Sequence, residues 1–199
     1  MRNIFAETLY KEAIKNKKIY VVAADISPAG SMEMLRKKYP DRFINTGVAE
    51  QSMIGISAGL AMRGMKPFAY TIATFALYRP FEMIRDDICY QNLPVTIVGM
   101  GAGTIYSTLG GTHLTQEDIS IARSIPNMTV LAPSDLYEMK SSVKYLSNLS
   151  KKPCYLRIGK SGEKDYKFKE SENWKFGKIR KICNGKINTC IITYGPIIK

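Results

Sequence analysis

The run Pro94-Val-Thr-Ile-Val-Gly99 decides the fold, because its residues are apolar or β-branched almost without interruption. Such a run is typical of a parallel strand that is covered on both faces. Four more runs share this character and are predicted to be strands: Ile19–Ala24, Met128–Leu131, Pro153–Ile158 and Thr189–Tyr194. Helical patterns lie between the runs, at Phe5–Asn16, Ser31–Tyr39, Glu50–Arg63, Ala73–Gln91, Thr115–Ser124 and Leu136–Leu149. The alternation predicts an α/β fold: a doubly wound, mostly parallel sheet with helices on both faces.

The composition allows about one globular domain, since the chain has 199 residues of which 45% are hydrophobic. The longest apolar stretches, Ile54–Met62 and Pro94–Met100, are far shorter than the roughly 20 residues that span a bilayer. The first residues lack the apolar core of a signal peptide. We therefore expect a cytoplasmic protein that has no membrane partner.

The net charge of +12 suggests nucleic-acid binding, but its distribution weakens that hypothesis. Thirteen of the 29 basic residues and only four of the 17 acidic ones follow residue 150, so the main body is nearly balanced. A solvated connector explains such a tail at least as well as a phosphate-binding surface does. We expect no nucleic-acid partner and keep a basic nucleic-acid-binding module as the alternative from a different class.

One histidine and four cysteines limit the chemistry that the chain can carry. His113 lies in a glycine-rich loop beyond the strand Pro94–Gly99, where open α/β sheets place ligands. We prefer a ligand-facing role for His113 over a loop histidine that is satisfied by the backbone. No CxxC pair is present, so we expect no metal site among the cysteines Cys89, Cys154, Cys183 and Cys190.

Other candidates have structural explanations that compete with a functional one. Glu50 begins a helix, where a carboxylate is stabilised by the helix dipole. Asp25 ends the first strand, a usual place for a turn-forming residue. Three aromatic residues repeat at a spacing that predicts one helical face and would ordinarily be core: Phe75, Tyr78 and Phe81.

The helix that begins at Glu50 contains two glycines, Gly55 and Gly59. Glycine destabilises a helix unless close packing compensates for it. Two interpretations stay open for this helix: tight packing against the domain's own sheet, or a position at an interface between subunits.

Four segments together resemble the pyrimidine-binding domain of transketolase-type thiamine diphosphate enzymes. They are Phe43–Gln51 (FINTGVAEQ), Ala69–Phe75 (AYTIATF), Gly110–His113 (GGTH) and Ala122–Asp135 (ARSIPNMTVLAPSD). The resemblance extends from about Arg2 to Lys160, and the remaining tail is similar to the connector into the family's C-terminal domain. It implies three parts: a pyrimidine-binding domain at 1–160, a basic connector or hairpin at 161–187, and the first strand of a truncated C-terminal domain at 188–199.

The resemblance also implies roles for individual residues. The glutamate that matches Glu50 hydrogen-bonds N1′ of the aminopyrimidine and thereby activates the cofactor. His113 matches a catalytic histidine that faces the sugar substrate. The cofactor-binding residues are expected to be Glu50, Phe75, Tyr78, Phe81 and Asp25. The substrate-binding residues are expected to be His113, Arg2 and Lys160, of which the two basic ones can meet a substrate phosphate.

Some positions depart from the family's pattern. Leu109 stands where an aspartate usually reads a sugar hydroxyl, Gly101 where many members have a histidine, and Ala29 where a serine lies in the phosphate pocket. Lys160 replaces an arginine and so loses the bidentate fork. A modified or unphosphorylated sugar acceptor therefore fits the sequence about as well as a pentose phosphate.

The sequence has no Gly-Asp-Gly, the motif with which this family anchors the diphosphate through a metal. The resemblance therefore implies a split transketolase that moves a two-carbon ketol unit between sugars. Its diphosphate-binding partner subunit would hold Mg²⁺, in a dimer or a heterotetramer. The β subunit of a 2-oxoacid dehydrogenase and a deoxyxylulose-phosphate-synthase-like enzyme are the enzymatic alternatives, and the Gly110–His113 loop favours transketolase.

Overall fold

The structure, a computed structural model, describes residues 1–26, 31–160, 173–185 and 188–197. Six strands form one sheet in which every pairing is parallel. Their bounds are β1 Ile19–Ala23, β2 Phe43–Asn45, β3 Lys66–Ile72, β4 Thr96–Met100, β5 Thr129–Leu131 and β6 Cys154–Ile158. The strand order is β2-β1-β3-β4-β6-β5. The predicted α/β fold class is confirmed.

Helices cover both faces of this sheet. They are α1 Arg2–Lys15, α2 Ser31–Lys38, α3 Glu50–Met62, α4 Ala73–Leu77, α5 Phe81–Met83, a π-helical segment Ile84–Tyr90, α6 Asp118–Ser124 and α7 Leu136–Asn148. Helices α1, α2 and α7 enclose one core with alternate strand residues such as Val21 and Val98. Helices α3, α4 and α6 enclose the other with the intervening residues, such as Val22 and Ile97. Alternate side chains of a strand point to opposite faces, which explains why these strands are apolar throughout.

The long helix predicted over Ala73–Gln91 is wrong, because the chain is interrupted around Pro80. Proline has no N–H group to donate and its ring clashes with the preceding turn, so it ends or bends a helix. Here α4 ends at Leu77, α5 begins at Phe81, and the π-helical segment follows directly. The three aromatic residues therefore do not lie on one continuous helical face.

Two strands were not predicted, β2 and β3. The first has three residues that are only partly buried or exposed, and the second begins with Lys66 and Pro67. Among the described residues, the predicted strand Thr189–Tyr194 is not a strand. A strand requires a paired neighbour. The residue that follows this segment, Gly195, donates a backbone hydrogen bond to the carbonyl of Ala132 at 3.0 Å.

Part of the predicted connector lies outside the described residues, namely 161–172 and 186–187. The described part, 173–185, contacts α7 and its cap residue Asp135. Phe176 stacks on Tyr145 with ring centroids 4.1 Å apart. The side chain of Arg180 is only 4% exposed and forms ion pairs with Asp135 (3.0 Å) and Glu138 (2.9 Å). The proposed division into three parts stays a prediction.

Helix α7 begins with a reciprocal cap. The Asp135 carboxylate accepts a hydrogen bond from Glu138 N at 2.7 Å, and the Glu138 carboxylate accepts one from Ser134 N at 2.8 Å. The helix predicted from Thr115 begins only at Asp118, where α6 starts. Thr115 instead exchanges two backbone hydrogen bonds with Gly103, at 2.9 and 3.0 Å. No helix of the described residues is both long and apolar enough to cross a membrane.

Candidate active site

The carboxyl ends of the six strands meet at one edge of the sheet, and the predicted site residues follow these ends. Asp25 follows β1, Glu50 follows β2, and Phe75 follows β3. His113 lies in the long loop after β4, and Lys160 comes two residues after β6. Open α/β sheets bind ligands at this edge. Arg2 comes from elsewhere, since it is the first residue of α1.

The turn between β2 and α3 positions Glu50. Oδ1 of Asn45 accepts hydrogen bonds from Gly47 N at 3.0 Å and from Asp25 N at 3.3 Å, so it ties the turn to the end of β1. Gly47 adopts φ +67°, a left-handed conformation that glycine adopts without strain. Glu50 is the first residue of α3, where its negative charge is stabilised by the helix dipole.

The carboxylate of Glu50 is buried and paired with an arginine. The Glu50 side chain is 7% exposed, and its Oε1 atom lies 2.9 Å from Nη1 of Arg79. Arg79 lies between α4 and α5, and its side chain is 47% exposed. Its guanidinium carbon also lies 3.9 Å from the ring centroid of Phe75. Sequence reasoning missed Arg79, since no feature of the sequence places it opposite Glu50.

A chain of ring contacts continues from Phe75 to His113 and Tyr106. The Phe75 and His113 rings meet edge to face with centroids 5.1 Å apart. His113 and Tyr106 are 6.2 Å apart in a similar arrangement. Nζ of Lys160 lies 4.7 Å from the Tyr106 ring centroid, a cation–π contact. Four predicted residues are thus joined in one cluster through Arg79 and Tyr106: Glu50, Phe75, His113 and Lys160.

Tyr106 explains why glycine occupies position 101. Gly101 has φ +72°, and a Cβ atom there would lie 2.2 Å from Cε2 of Tyr106. The tyrosine ring therefore takes the space of any side chain at 101, and its hydroxyl donates to the sulfur of Met100 at 3.2 Å. The sequence analysis noted that Gly101 departs from the family's pattern, but it missed Tyr106, whose ring fills the space that a side chain at 101 would occupy.

Arg2 lies close to the same tyrosine. Burial raises the pKa of the Tyr106 hydroxyl, and the positive charge of Arg2 opposes that rise. The same charge opposes the rise in the pKa of Tyr70, which burial also causes. In the described part of the chain, the buried Nε atom of Arg2 has no hydrogen-bond partner. Arg2 and Lys160 therefore give this end of the cluster a positive charge.

Three predicted residues lie outside the cluster. The Tyr78 hydroxyl donates a hydrogen bond to Glu117 at 2.9 Å. Burial, and to a smaller extent this hydrogen bond, raise the pKa of Tyr78 well above its usual value. Tyr78 and Phe81 pack partly against the core beneath α3. Asp25 is exposed at φ +43°, next to residues 27–30, which lie outside the described ranges.

A buried network supports the loop that carries His113. Oδ2 of Asp118 accepts hydrogen bonds from the Tyr155 hydroxyl and from Nε of Arg157, both at 2.8 Å. His113 itself lies in a 3-10 turn, with its Nδ1 atom 2.9 Å from the Thr112 hydroxyl. Both the strand β6 and the start of α6 are thereby fixed around the loop. Sequence reasoning did not identify this network.

The cluster provides a buried carboxylate, an aromatic face, an imidazole and three cations, of which Arg79 pairs with the carboxylate. A flat, positively charged ring with in-plane N–H donors matches the first two groups, since it can stack on Phe75 and donate to Glu50. An anionic group matches the cations Arg2 and Lys160. Among the residues that the structure describes, no group of three or more His, Cys, Asp or Glu side chains could hold a metal ion.

Comparison with protein families gives a match to the transketolase pyrimidine-binding domain over residues 1–162. The chain belongs to this family. It is 38% identical over 194 residues to a protein described as a transketolase C-terminal section from Methanocaldococcus jannaschii, covering 97% of this chain and 61% of that one. It is 33% identical over 195 residues to the 1-deoxy-D-xylulose-5-phosphate synthase of Clostridium perfringens, covering 98% of this chain and 31% of the synthase.

Among solved structures, this transketolase-family chain resembles a split-gene transketolase described as an inactive β4 tetramer. The TM-score is 0.76 at 35% identity, and the match covers 89% of this chain and 56% of that one. The chain therefore spans little more than half the length of that split relative.

Proposed function

We propose that this chain is the pyrimidine-binding subunit of a two-component, thiamine diphosphate-dependent transketolase. The enzyme would transfer a two-carbon ketol unit between sugars or sugar phosphates, in the cytoplasm where such sugars are metabolised. Bound thiamine diphosphate supplies a nucleophilic carbon and an electron sink for breaking and forming carbon–carbon bonds. Activity would require a partner subunit, because this sequence lacks the Gly-Asp-Gly motif for diphosphate and Mg²⁺.

One observation carries the proposal: the buried Glu50 carboxylate and the Phe75 ring hold the same planar cation. The Arg79 guanidinium lies 2.9 Å from Glu50 and 3.9 Å from the Phe75 centroid. An aminopyrimidine needs a similar pair of partners, a carboxylate for its ring nitrogen and a flat surface for its face. Glu50 would hold the proton at N1′, and its low exposure strengthens that hydrogen bond.

The remaining residues are assigned by their place around this pair. His113 meets Phe75 edge to face and would hydrogen-bond a sugar hydroxyl or carbonyl. Lys160 and Arg2 lie around Tyr106 and would bind a substrate phosphate. Tyr78, Phe81 and Asp25 are proposed to complete the cofactor site, and for these three the support is the family resemblance.

The exposed side of α3 supports a partner chain. A Cβ atom added to Gly55 or Gly59 would meet nothing within 4 Å among the described residues, so packing within the described part of the chain does not account for these glycines. Ile56 and Met62 on the same helix are 37% and 65% exposed. Small residues flanked by exposed apolar ones allow another backbone to approach closely. We infer that α3 faces another subunit, in a dimer or a heterotetramer.

The decisive experiment compares Glu50→Gln with the unchanged chain after reconstitution with a diphosphate-binding subunit, thiamine diphosphate and Mg²⁺. Glutamine keeps the shape of the side chain but cannot hold the proton at N1′, so ketol transfer should fall by about 100-fold or more. Glu82→Gln, at an exposed position in α5, is the matched control and should retain activity. Full activity of Glu50→Gln would refute the proposal.

A second candidate is a deoxyxylulose-phosphate-synthase-like reaction, favoured by the similarity to the Clostridium perfringens enzyme. A synthase that begins from a 2-oxoacid releases CO₂, whereas ketol transfer between sugars does not. Assaying the reconstituted pair for CO₂ from pyruvate and for ketol transfer from a ketose phosphate separates the two. CO₂ release without transfer would replace the transketolase proposal.

A further inference from the structure

Arg79 occupies both contacts that the proposed function assigns to the aminopyrimidine. Its Nη1 atom lies 2.9 Å from Oε1 of Glu50, and its guanidinium carbon lies 3.9 Å from the centroid of Phe75. His113 meets Phe75 edge to face, so the guanidinium and the imidazole contact the ring in different ways. An aminopyrimidine that stacked on the ring face now covered by Arg79 and bonded to Glu50 would overlap the guanidinium.

The two groups are chemically alike in the features that matter here. A guanidinium is planar, carries N–H donors in its plane, and prefers to stack on aromatic rings while donating to a carboxylate. An aminopyrimidine that is protonated at N1′ is also planar, also cationic, and also donates N–H groups in its plane. One site can therefore accept either group but not both at once.

We propose that Arg79 is a placeholder for the aminopyrimidine: it neutralises Glu50 and covers Phe75 before the cofactor binds, and it must leave both when the cofactor enters. This inference rests on the proposed function and makes Arg79 a determinant of cofactor affinity. The ion pair has a reason to exist, because a carboxylate that is only 7% exposed is costly without a partner.

The position of Arg79 allows this exchange. Its side chain is 47% exposed, and it lies between α4 and α5, where Pro80 interrupts the helix. Its departure requires the loss of one partly exposed ion pair and one cation–π contact. Arg79 itself is half exposed, and the aminopyrimidine would give the buried Glu50 carboxylate a new partner as Arg79 leaves. Arg79 can therefore move towards solvent without disturbing the sheet or the rest of α3.

The test is the affinity for thiamine diphosphate with Mg²⁺, measured by calorimetry on the reconstituted pair. Removal of the competing guanidinium in Arg79→Ala should tighten cofactor binding about fivefold to tenfold. This factor corresponds to the combined strength of the ion pair and the cation–π contact, which the cofactor no longer has to displace. Arg79→Gln, which retains a neutral donor for Glu50, should tighten binding less. Arg85→Ala is the matched control, because Arg85 is similarly exposed at 52% but pairs with Asp86. The affinity of this variant for thiamine diphosphate should equal that of the unchanged chain.

The outcomes separate this inference from the function on which it rests. Unchanged or weaker binding by both Arg79→Ala and Arg79→Gln, with the unchanged chain still binding, would overturn the placeholder role and leave the proposed function intact. Absence of binding by every form would refute the proposed function and this inference with it. Arg79→Gln covers the case in which Arg79→Ala does not fold, because it leaves Glu50 with a hydrogen-bond donor.

Discussion

The hydroxyl group of Tyr155 in β6 donates a 2.8 Å hydrogen bond to Oδ2 of Asp118, the first residue of α6. Arg157 shares the same carboxylate oxygen, also at 2.8 Å. Burial and the neighbouring Asp118 carboxylate raise the pKa of Tyr155 well above its usual value, so the hydroxyl remains a donor over the physiological range. This hydrogen bond joins β6 to the start of α6, which follows the loop of His113.

Replacing Asp118 by asparagine should lower the free energy of unfolding by about 3 kcal/mol, because removing one partner leaves the buried Arg157 charge unpaired. The Asp118 side chain is 0% exposed and that of Arg157 is 17% exposed. Urea denaturation measures the change. Asp86→Asn breaks an ion pair of which both members are about half exposed, so its cost should be below about 1 kcal/mol. Equal effects of the two substitutions would contradict the assignment.

Gly101→Ala should destabilise the protein more than Gly110→Ala. Both glycines have positive φ values, +72° and +80°, so both substitutions introduce a backbone strain of about 1–2 kcal/mol. At 101 the new Cβ atom would also lie 2.2 Å from the Tyr106 ring, whereas at 110 no atom of the described residues lies within 4 Å. Thermal unfolding of the two variants measures the difference. If the two melting temperatures fell equally, the Tyr106 ring would not be the constraint at this position.

Arg180→Met should release the connector from α7. The methionine can fill the buried space but leaves Asp135 and Glu138 without their ion pairs, which are formed by a side chain that is only 4% exposed. Limited trypsin digestion should then cleave faster at Lys175 and Lys178, which flank the Phe176 contact with Tyr145. Arg36→Met, which removes an exposed pair on α2, is the control. Unchanged cleavage would show that Arg180 does not hold the connector.

Alkaline pH should weaken the fold through the buried thiols. Burial raises the pKa of Cys89 to about 12 and that of Cys154 further. An unfolded thiol has a pKa of about 8.5, so the stability that each contributes is present below that pH and is lost as pH rises towards the folded value.

Urea denaturation between pH 7 and 10 should show this loss, at about 1.4 kcal/mol per pH unit for each thiol above pH 8.5. Cys89→Ala should flatten the decline, whereas Cys183→Ala, at an exposed position, should not. Burial lowers the pKa of Lys66, so the deprotonation of this lysine makes the protein more stable as pH rises. Variants are therefore compared with the unchanged chain at each pH. The same slope for all three proteins would contradict this account.

The sequence predicted β1, β4 and β6, whose side chains are almost all buried, because burial on both faces appears as an unbroken apolar run. It also predicted β5, which is apolar but only partly buried. It did not predict β3, whose first residues are Lys66 and Pro67, or β2, which is short and only partly covered. Four segments in register were enough to indicate the family and to bring Glu50, Phe75 and His113 into one hypothesis.

The contacts within the site could not be predicted from the sequence, because they depend on how the chain folds back where its helices and loops are interrupted. Arg79 reaches Glu50 because Pro80 breaks the helix after α4. Tyr106 reaches His113 because the loop after β4 turns through Gly101 at φ +72°. Neither path has a periodicity that a sequence pattern can reveal.

The short turn from β2 to α3 has a consequence for insertions and deletions. Only residues 46–49 separate Asn45, the end of β2, from Glu50 at the start of the helix. If α3 kept its packing on the sheet, adding or removing one residue here would put a neighbouring position of the chain, about 100° around the helix axis, in the place of Glu50. Val48 within the turn is 69% exposed and free to vary in identity. The length of this turn, together with the glycine at position 47, therefore determines where Glu50 lies relative to Phe75.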